Sequence, residues 1–250
     1  MQKLEGPQNK FYDTAWETWS DMISFSPAPK YRRKKIIKWL STLDCSSLLD
    51  VGCGNGEFLF EVHKVLPGLN LVGADVSNVV IDSNRTRLPE ADFFVYDLNT
   101  EEISETYDIV VCMEVVEHCS DYRVVLRKLA TMTKHALLIT VPCGPIFEID
   151  KRVGHVRHFT SDEIKDVLMD EGLDILKIQC WGFPFFNLYK HLINIFPDKT
   201  SDSFLTKKYY SWEQKFLATL TYSTFQLNLP FFGYQLFALA VRTDQVRKKR

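Results

Sequence analysis

Residues 48–56 read LLDVGCGNG. An apolar run ends at Asp50 and Val51, glycines follow at 52, 54 and 56, and Phe58, Leu59, Val62 and Val65 then recur at helical spacing. The order is a strand, a glycine turn and a helix. Outward from it, further strands are expected at LNLVGAD (69–75), ADFFVYD (91–97), YDIVVCM (107–113) and KHALLITVP (134–142), with helices near 56–66, 78–87 and 120–132. These runs are apolar without alternation, as in strands covered on both faces, so the spacing predicts an α/β fold with a parallel sheet between helical layers. Thr160 and Glu163 form a capping box ahead of Ile164, Val167 and Leu168. Strands LDILKIQCW after Gly172 and YQLFALAVR at 234–242 complete the set. Residues 183–230 between them are too long for a connection and read as a helical insert, with helix from about Ser203 to Leu227. The expected organisation is one domain over 1–250, with residues 1–45 as an N-terminal helical cap.

The glycine spacing bears on the ligand. A dinucleotide fingerprint places its last glycine one position later, where this chain has Glu57. S-adenosylmethionine carries a sulfonium and an ammonium in place of a pyrophosphate, and Asp50 beside the turn suits a cation. Gly52 and Gly54 let the backbone approach such a ligand closely, with Cys53 between them. The second strand ends in Asp75, which suits two ribose hydroxyls, and Val76 is placed to flank an adenine. The third ends in Asp97 and Leu98, an acceptor for the adenine amino group and an apolar contact for its ring. The alternative is an ordinary turn flanked by solvated strand ends.

The segments LLDVGCGNG, LVGADVS, YDIVVCMEVVEHCSD and HALLITVP resemble, in order and over roughly 46–180, the class I S-adenosylmethionine-dependent methyltransferase superfamily. GHVRHFTSDEIKDVLMDEGL is similar to an element of its ubiquinone-biosynthesis-like (type 11/12) branch. The resemblance implies a Rossmann-like three-layer sandwich with a mostly parallel seven-stranded sheet and an antiparallel last strand. It implies cofactor roles for Asp50, Gly52, Gly54, Asp75, Asp97 and Met113. Fold alone names no acceptor.

MEVVEH at 113–118 follows the fourth strand, where donor and acceptor should meet. His118 is the first candidate for a base or an acceptor-orienting group, and His155 and His158 of GHVRHF are the second. Each also fits a structural part: His118 bonded to backbone at a helix start, His155 and His158 packing a loop. The main reading assigns no metal. Glu114, Glu117, His118 and His158 nevertheless resemble the divalent-metal set of small-RNA 3′-end 2′-O-methyltransferases. That family's fuller run is only partly matched by HFTSDE, and E-x-x-E-H is also widespread in the metal-free branch.

A net charge of −2 argues against a surface-wide nucleic-acid footprint. KYRRKKIIK (30–38) reads as a solvated helix face, with phosphate anchoring as the alternative. Six cysteines stand singly without a C-x-x-C pair, MQKLEGPQNK lacks the apolar core of a secretion signal, and the most apolar stretch is too broken to span a bilayer. A cytoplasmic location is expected. The aromatic stripe Phe11, Tyr12, Trp16 and Trp19 and the cluster Phe183, Phe185, Phe186, Leu188 and Tyr189 suggest an apolar lid or pocket. The expected partner is therefore a small, partly apolar acceptor, such as a quinone-like ring, a lipid-linked sugar or a natural-product intermediate. A cofactor-binding partner subunit is the reading from outside enzymology.

Overall fold

The computed structural model describes residues 20–202 and 209–242. The N-terminal aromatic stripe, the C-terminal VRKKR and part of the expected helix after Ser203 lie outside the described residues. Helices α1 (Ser20–Phe25) and α2 (Pro27–Leu40) precede β1 (Ser47–Val51), α3 (Glu57–Val65), β2 (Asn70–Asp75), α4 (Asn78–Arg87) and β3 (Asp92–Val95). After β4 (Tyr107–Met113) come a 3₁₀ turn (Val116–His118), α5 (Tyr122–Thr131), β5 (Thr133–Pro142), α6 (Glu148–Arg152), α7 (Ser161–Asp170) and β6 (Leu173–Trp181). Then follow α8 (Phe185–Ile193), α9 (Pro197–Thr200), α10 (Trp212–Phe225) and β7 (Gln235–Arg242).

All seven strands form one sheet in the order β3-β2-β1-β4-β5-β7-β6. The pairings from β3 to β5 are parallel, and β7 runs antiparallel to both β5 and β6. The chain steps outward one way from β1 to β3 and the other way from β4, so a crevice opens at the carboxyl ends of β1 and β4. The inner strands bury both faces, with successive side chains pointing to opposite layers, whereas the edge strand β6 leaves Asp174, Leu176 and Lys177 exposed. Leu49, Val51, Val110 and Leu137 join one apolar cluster, while Leu48, Ile109, Val111 and Leu138 join the other.

The capping box at Thr160 forms as expected: its Oγ1 accepts from the Glu163 N–H at 3.3 Å, and Glu163 accepts from the Thr160 N–H at 2.8 Å. Ile36, Ile37 and Leu40 of α2 face the core. The helical content of the insert is distributed differently from the expectation. Its described helices are α8, α9 and α10, the last starting at Trp212 behind a Ser211 cap. α10 packs on α1, α2 and α8, which brings the insert and the N-terminal helices onto one side of the sheet. No described helix is long and apolar enough to cross a membrane.

Candidate active site

The glycine turn begins where β1 runs out. Gly52 and Cys53 donate their N–H groups to the Ala74 carbonyl at 2.7 and 3.0 Å, which ties the turn to β2. Gly52 has φ +76°, and a Cβ there would lie 2.2 Å from the Val115 side chain. Gly56 has φ +71°, and a Cβ would meet Asn84 Oδ1 at 2.8 Å. Asn84 uses its Nδ2 to donate to the Gly54 carbonyl at 2.8 Å. The glycines therefore make room for neighbours that shape the turn, in addition to any ligand.

Asp50, Asp75 and Asp97 line one cavity of about 400 Å³ at the carboxyl edge of the sheet. Gly52, Cys53, Gly54, Val76, Leu98 and Met113 line the same cavity. Asp75 Oδ2 accepts from the Gly54 N–H at 2.9 Å and its Oδ1 from the Ser77 N–H at 3.0 Å. Asp97 accepts from the Asn99 N–H at 2.9 Å and from the Thr100 hydroxyl at 3.0 Å. These bonds fix the orientation of both acids. Asp50 differs: it is 2 % exposed and its Oδ1 has no hydrogen-bond partner. Burial, reinforced by Asp75, pushes its pKa up to about 8. A buried, unpartnered carboxyl facing a cavity is stabilised by a cationic ligand, and the ammonium and sulfonium of S-adenosylmethionine fit that requirement.

Past Met113 the backbone turns sharply at Glu114, whose φ is +57°. Its N–H donates to the Thr140 carbonyl, and its Oε1 accepts from Thr140 Oγ1 at 2.9 Å and Gln235 Nε2 at 2.8 Å. Arg32 of α2 stands 3.4 Å from its Oε2. These bonds from β5, β7 and α2 hold a left-handed non-glycine conformation at the cavity wall.

The histidines gather beside it. His118 Nδ1 lies 3.0 Å from the Gly154 carbonyl. His155 Nδ1 lies 3.2 Å from His158 Nε2, and His158 Nδ1 lies 3.2 Å from the Gly144 carbonyl. His118 and His155 line the cavity, whereas His158 stands behind His155. Burial lowers the pKa of His118, with the Gly154 carbonyl opposing. Burial and then neighbouring positive groups push His155 down to about 2. Glu117 is fully buried between them, and burial followed by Glu114 holds its carboxyl well above the ordinary range.

The four residues of the small-RNA-type metal set do not converge. Glu114 is committed to Thr140, Gln235 and Arg32, and Glu117 and His118 assemble with His155 where His158 was expected. Part of the basic run turns inward, while Lys34 and Lys38 stay exposed. Arg33 pairs with Glu61 at 3.0 Å and donates to the Ile23 carbonyl, Lys34 pairs with Glu61, and Lys35 lies over the Phe237 ring. The run is mainly a set of structural pairings.

Several residues that shape the cavity wall carried no sequence signal. Asn84 looks like a solvent position of a weakly amphipathic helix, Gln235 like a strand start, and Arg32 like one charge in a basic run. Their partners are remote in sequence, at Gly54 and Glu114. Asp150 and Lys190 form an ion pair on the far wall, where Ile149, Phe186, Tyr189 and Ile193 supply apolar surface.

Residues 49–135 match the model of a methyltransferase domain. A ubiquinone biosynthesis O-methyltransferase of Rhizobium etli is 32 % identical over 156 residues, covering 55 % of this chain and 62 % of that protein. One from Aliivibrio fischeri (strain MJ11) is 31 % identical over 134 residues, covering 50 % and 56 %. The chain thus spans less than two thirds of the length of either relative. Among solved structures, the N-methyltransferase NodS from Bradyrhizobium japonicum WM9, in complex with S-adenosyl-L-homocysteine, superposes with a TM-score of 0.62 at 15 % identity. That superposition covers 95 % of this chain and 100 % of the other. Magnesium protoporphyrin IX methyltransferase from Synechocystis PCC 6803 gives a TM-score of 0.56 at 16 % identity, covering 85 % and 82 %. At these identities the structural likeness is one of fold.

Proposed function

Starting from a chain that carries a class I S-adenosylmethionine-dependent methyltransferase domain, we propose that it transfers a methyl group to an oxygen or nitrogen of a small, partly apolar acceptor. The observation that carries this reading is the one cavity shared by the three strand-end acids, Met113, His118 and His155. S-adenosylmethionine supplies an electrophilic methyl on a sulfonium, and the protein's task is to align an acceptor opposite it and exclude water. Asp50 meets the ligand's positive charge, Asp75 the ribose hydroxyls, and Asp97 with Leu98 and Val76 the adenine. His118, kept neutral by burial, takes up the acceptor's proton, while His155, oriented by His158, fixes the acceptor's polar end. Ile149, Phe186, Tyr189 and Ile193 receive the apolar part. The O-methyltransferase relatives favour oxygen as the acceptor atom.

Isothermal titration tests the cofactor. S-adenosylhomocysteine should bind in the micromolar range, and Asp75→Ala should weaken it by about 1–3 kcal/mol through lost charge-assisted hydrogen bonds. Binding of NADH in its place would overturn the reading. Slow methyl transfer by the chain alone, to a catechol or hydroxyquinone probe, separates an enzyme from a partner subunit.

A further inference from the structure

We propose that the outer face of the insert docks on the surface of an anionic lipid bilayer and so presents a membrane-held acceptor to the cavity. The docking surface stands on exposure and charge; its role in delivery rests on the methyltransferase reading. Of the 22 large hydrophobic side chains exposed among the described residues, 14 lie between Phe183 and Phe232. They are concentrated in one insert rather than scattered singly, and a concentrated apolar patch marks a contact surface.

α10 carries the centre of the patch. Trp212, Phe216 and Leu220 recur four residues apart and are 74, 66 and 55 % exposed, so they form one outward stripe. The other side of the same helix is buried, with Phe225 against Trp181, Phe186 and Tyr189. A helix apolar on both sides calls for a cover on the outer one. Leu188 and Leu192 add an exposed stripe on α8. Phe232 extends the patch from the loop before β7, which is tied to the start of α8: the Phe183 N–H donates to the Phe232 carbonyl at 3.0 Å, and the Leu229 N–H to the Phe183 carbonyl at 2.8 Å. At 14 residues α10 is too short to cross a bilayer, so it lies along the surface.

Charge selects the occupant. Residues 20–40 and 183–234, whose described helices pack together on one side of the sheet, hold eleven Lys and Arg against four Asp and Glu, a net of +7 on a chain whose total is −2. Part of that charge is paired inward, with Glu114, Glu61 and Asp150. Lys30 and Lys199 instead lie over the rings of Tyr222 and Phe196, 4.8 and 5.3 Å from their centres, at the border of the patch. Aromatic and aliphatic side chains edged by lysines match the acyl boundary and the phosphate layer of an anionic bilayer. A second copy meeting the same face across a two-fold axis would set like charge against like. α8 links this surface to the site. Phe186, Tyr189 and Ile193 line the cavity while Leu188 and Leu192 face out, so an acceptor anchored in the bilayer by a lipid tail meets the cavity wall from that side.

Co-sedimentation of the full-length chain with phosphatidylcholine vesicles, with and without phosphatidylglycerol, tests the docking. Binding should require phosphatidylglycerol, fall at high salt, and drop about tenfold or more in the double variant Trp212→Ser, Phe216→Ser. The double variant Lys30→Gln, Lys199→Gln should bind more weakly and lose part of the salt dependence. S-adenosylhomocysteine affinity of the same samples should stay within about twofold of wild type, because none of the four residues lines the cavity, and it shows that both variants are folded. A wild-type chain that stays off the vesicles, or a Trp212→Ser, Phe216→Ser variant that binds them equally well, would overturn the proposal. So would a dimer in sedimentation velocity that the same two substitutions dissociate, since a second copy would then occupy the face. Vesicle binding without S-adenosylhomocysteine binding would sink the methyltransferase reading and leave the docking surface standing.

Discussion

Asp50 sits at the point where strand chemistry becomes ligand chemistry. Its position at the end of an apolar run was legible because a carboxylate ending a buried strand must meet something polar. That Asp75 would spend its oxygens on Gly54 and Ser77 was not legible, since those bonds exist only once β2 lies beside the turn. A folded pKa of about 8 has two consequences. Because it is raised, burial of Asp50 costs nothing below the ordinary carboxylate range, and the cost grows as pH rises towards 8 and then levels. The cofactor-free protein should therefore lose stability between pH 5 and 8, by an amount on the order of a few kcal/mol, and Asp50→Asn should lose less over the same range. Urea unfolding at a series of pH values checks this; parallel curves for the two proteins would contradict it. A cationic ligand must also drive off that proton. Affinity for S-adenosylmethionine should rise from pH 6 to 8, with proton release visible as a buffer-dependent heat.

The strands were read nearly to the residue because they are apolar on both faces, and the helices around them because their stripes are regular. α6 was missed: its sequence EIDKR has no apolar period, and it forms because Asp150 accepts the Phe147 N–H and Asn194 the Ile149 N–H. The convergence of Glu117 with His155 was missed for a related reason, since a loop folding back over the 3₁₀ turn makes that contact. The glycine turn shows how an element can be legible while its cause is not. At Gly52 a side chain would strain the backbone by about 1–2 kcal/mol and press a methyl into Val115 for about 1–3 kcal/mol more. Gly68 also has positive φ, +93°, but open space around it. Gly52→Ala should therefore destabilise the chain clearly more than Gly68→Ala, and Val115→Ala should relieve part of the excess. Chemical denaturation of the three variants gives the comparison; equal losses at the two glycines would mean that the contact with Val115 is soft.

Across the whole molecule, one ring couples the sheet to the helices on its face. Trp181, the last residue of β6, is 1 % exposed. It stacks on Tyr31 of α2 at 3.9 Å between centroids, on Phe186 of α8 at 5.1 Å, and meets Phe225 of α10 at 5.6 Å and Phe237 of β7 at 6.2 Å. Truncating a large buried aromatic costs about 3–5 kcal/mol, and here the loss falls on the seam between the sheet and three helices. Trp181→Ala should lower the unfolding free energy by that amount, and Trp181→Phe by much less. The distribution of the loss matters more than its size. Amide exchange in α2 and α10 should accelerate well before exchange in β4 and β5, because the central strands keep their own contacts. The glycine turn and the three acids lie towards the other edge of the sheet, so S-adenosylhomocysteine affinity should stay within a few-fold of wild type. Arg32, carried on α2, would meanwhile lose its hold on Glu114, so turnover should fall while cofactor binding persists. Equal acceleration of exchange in every element would show instead that helices and sheet unfold as one unit, with Trp181 as an ordinary member of a shared core.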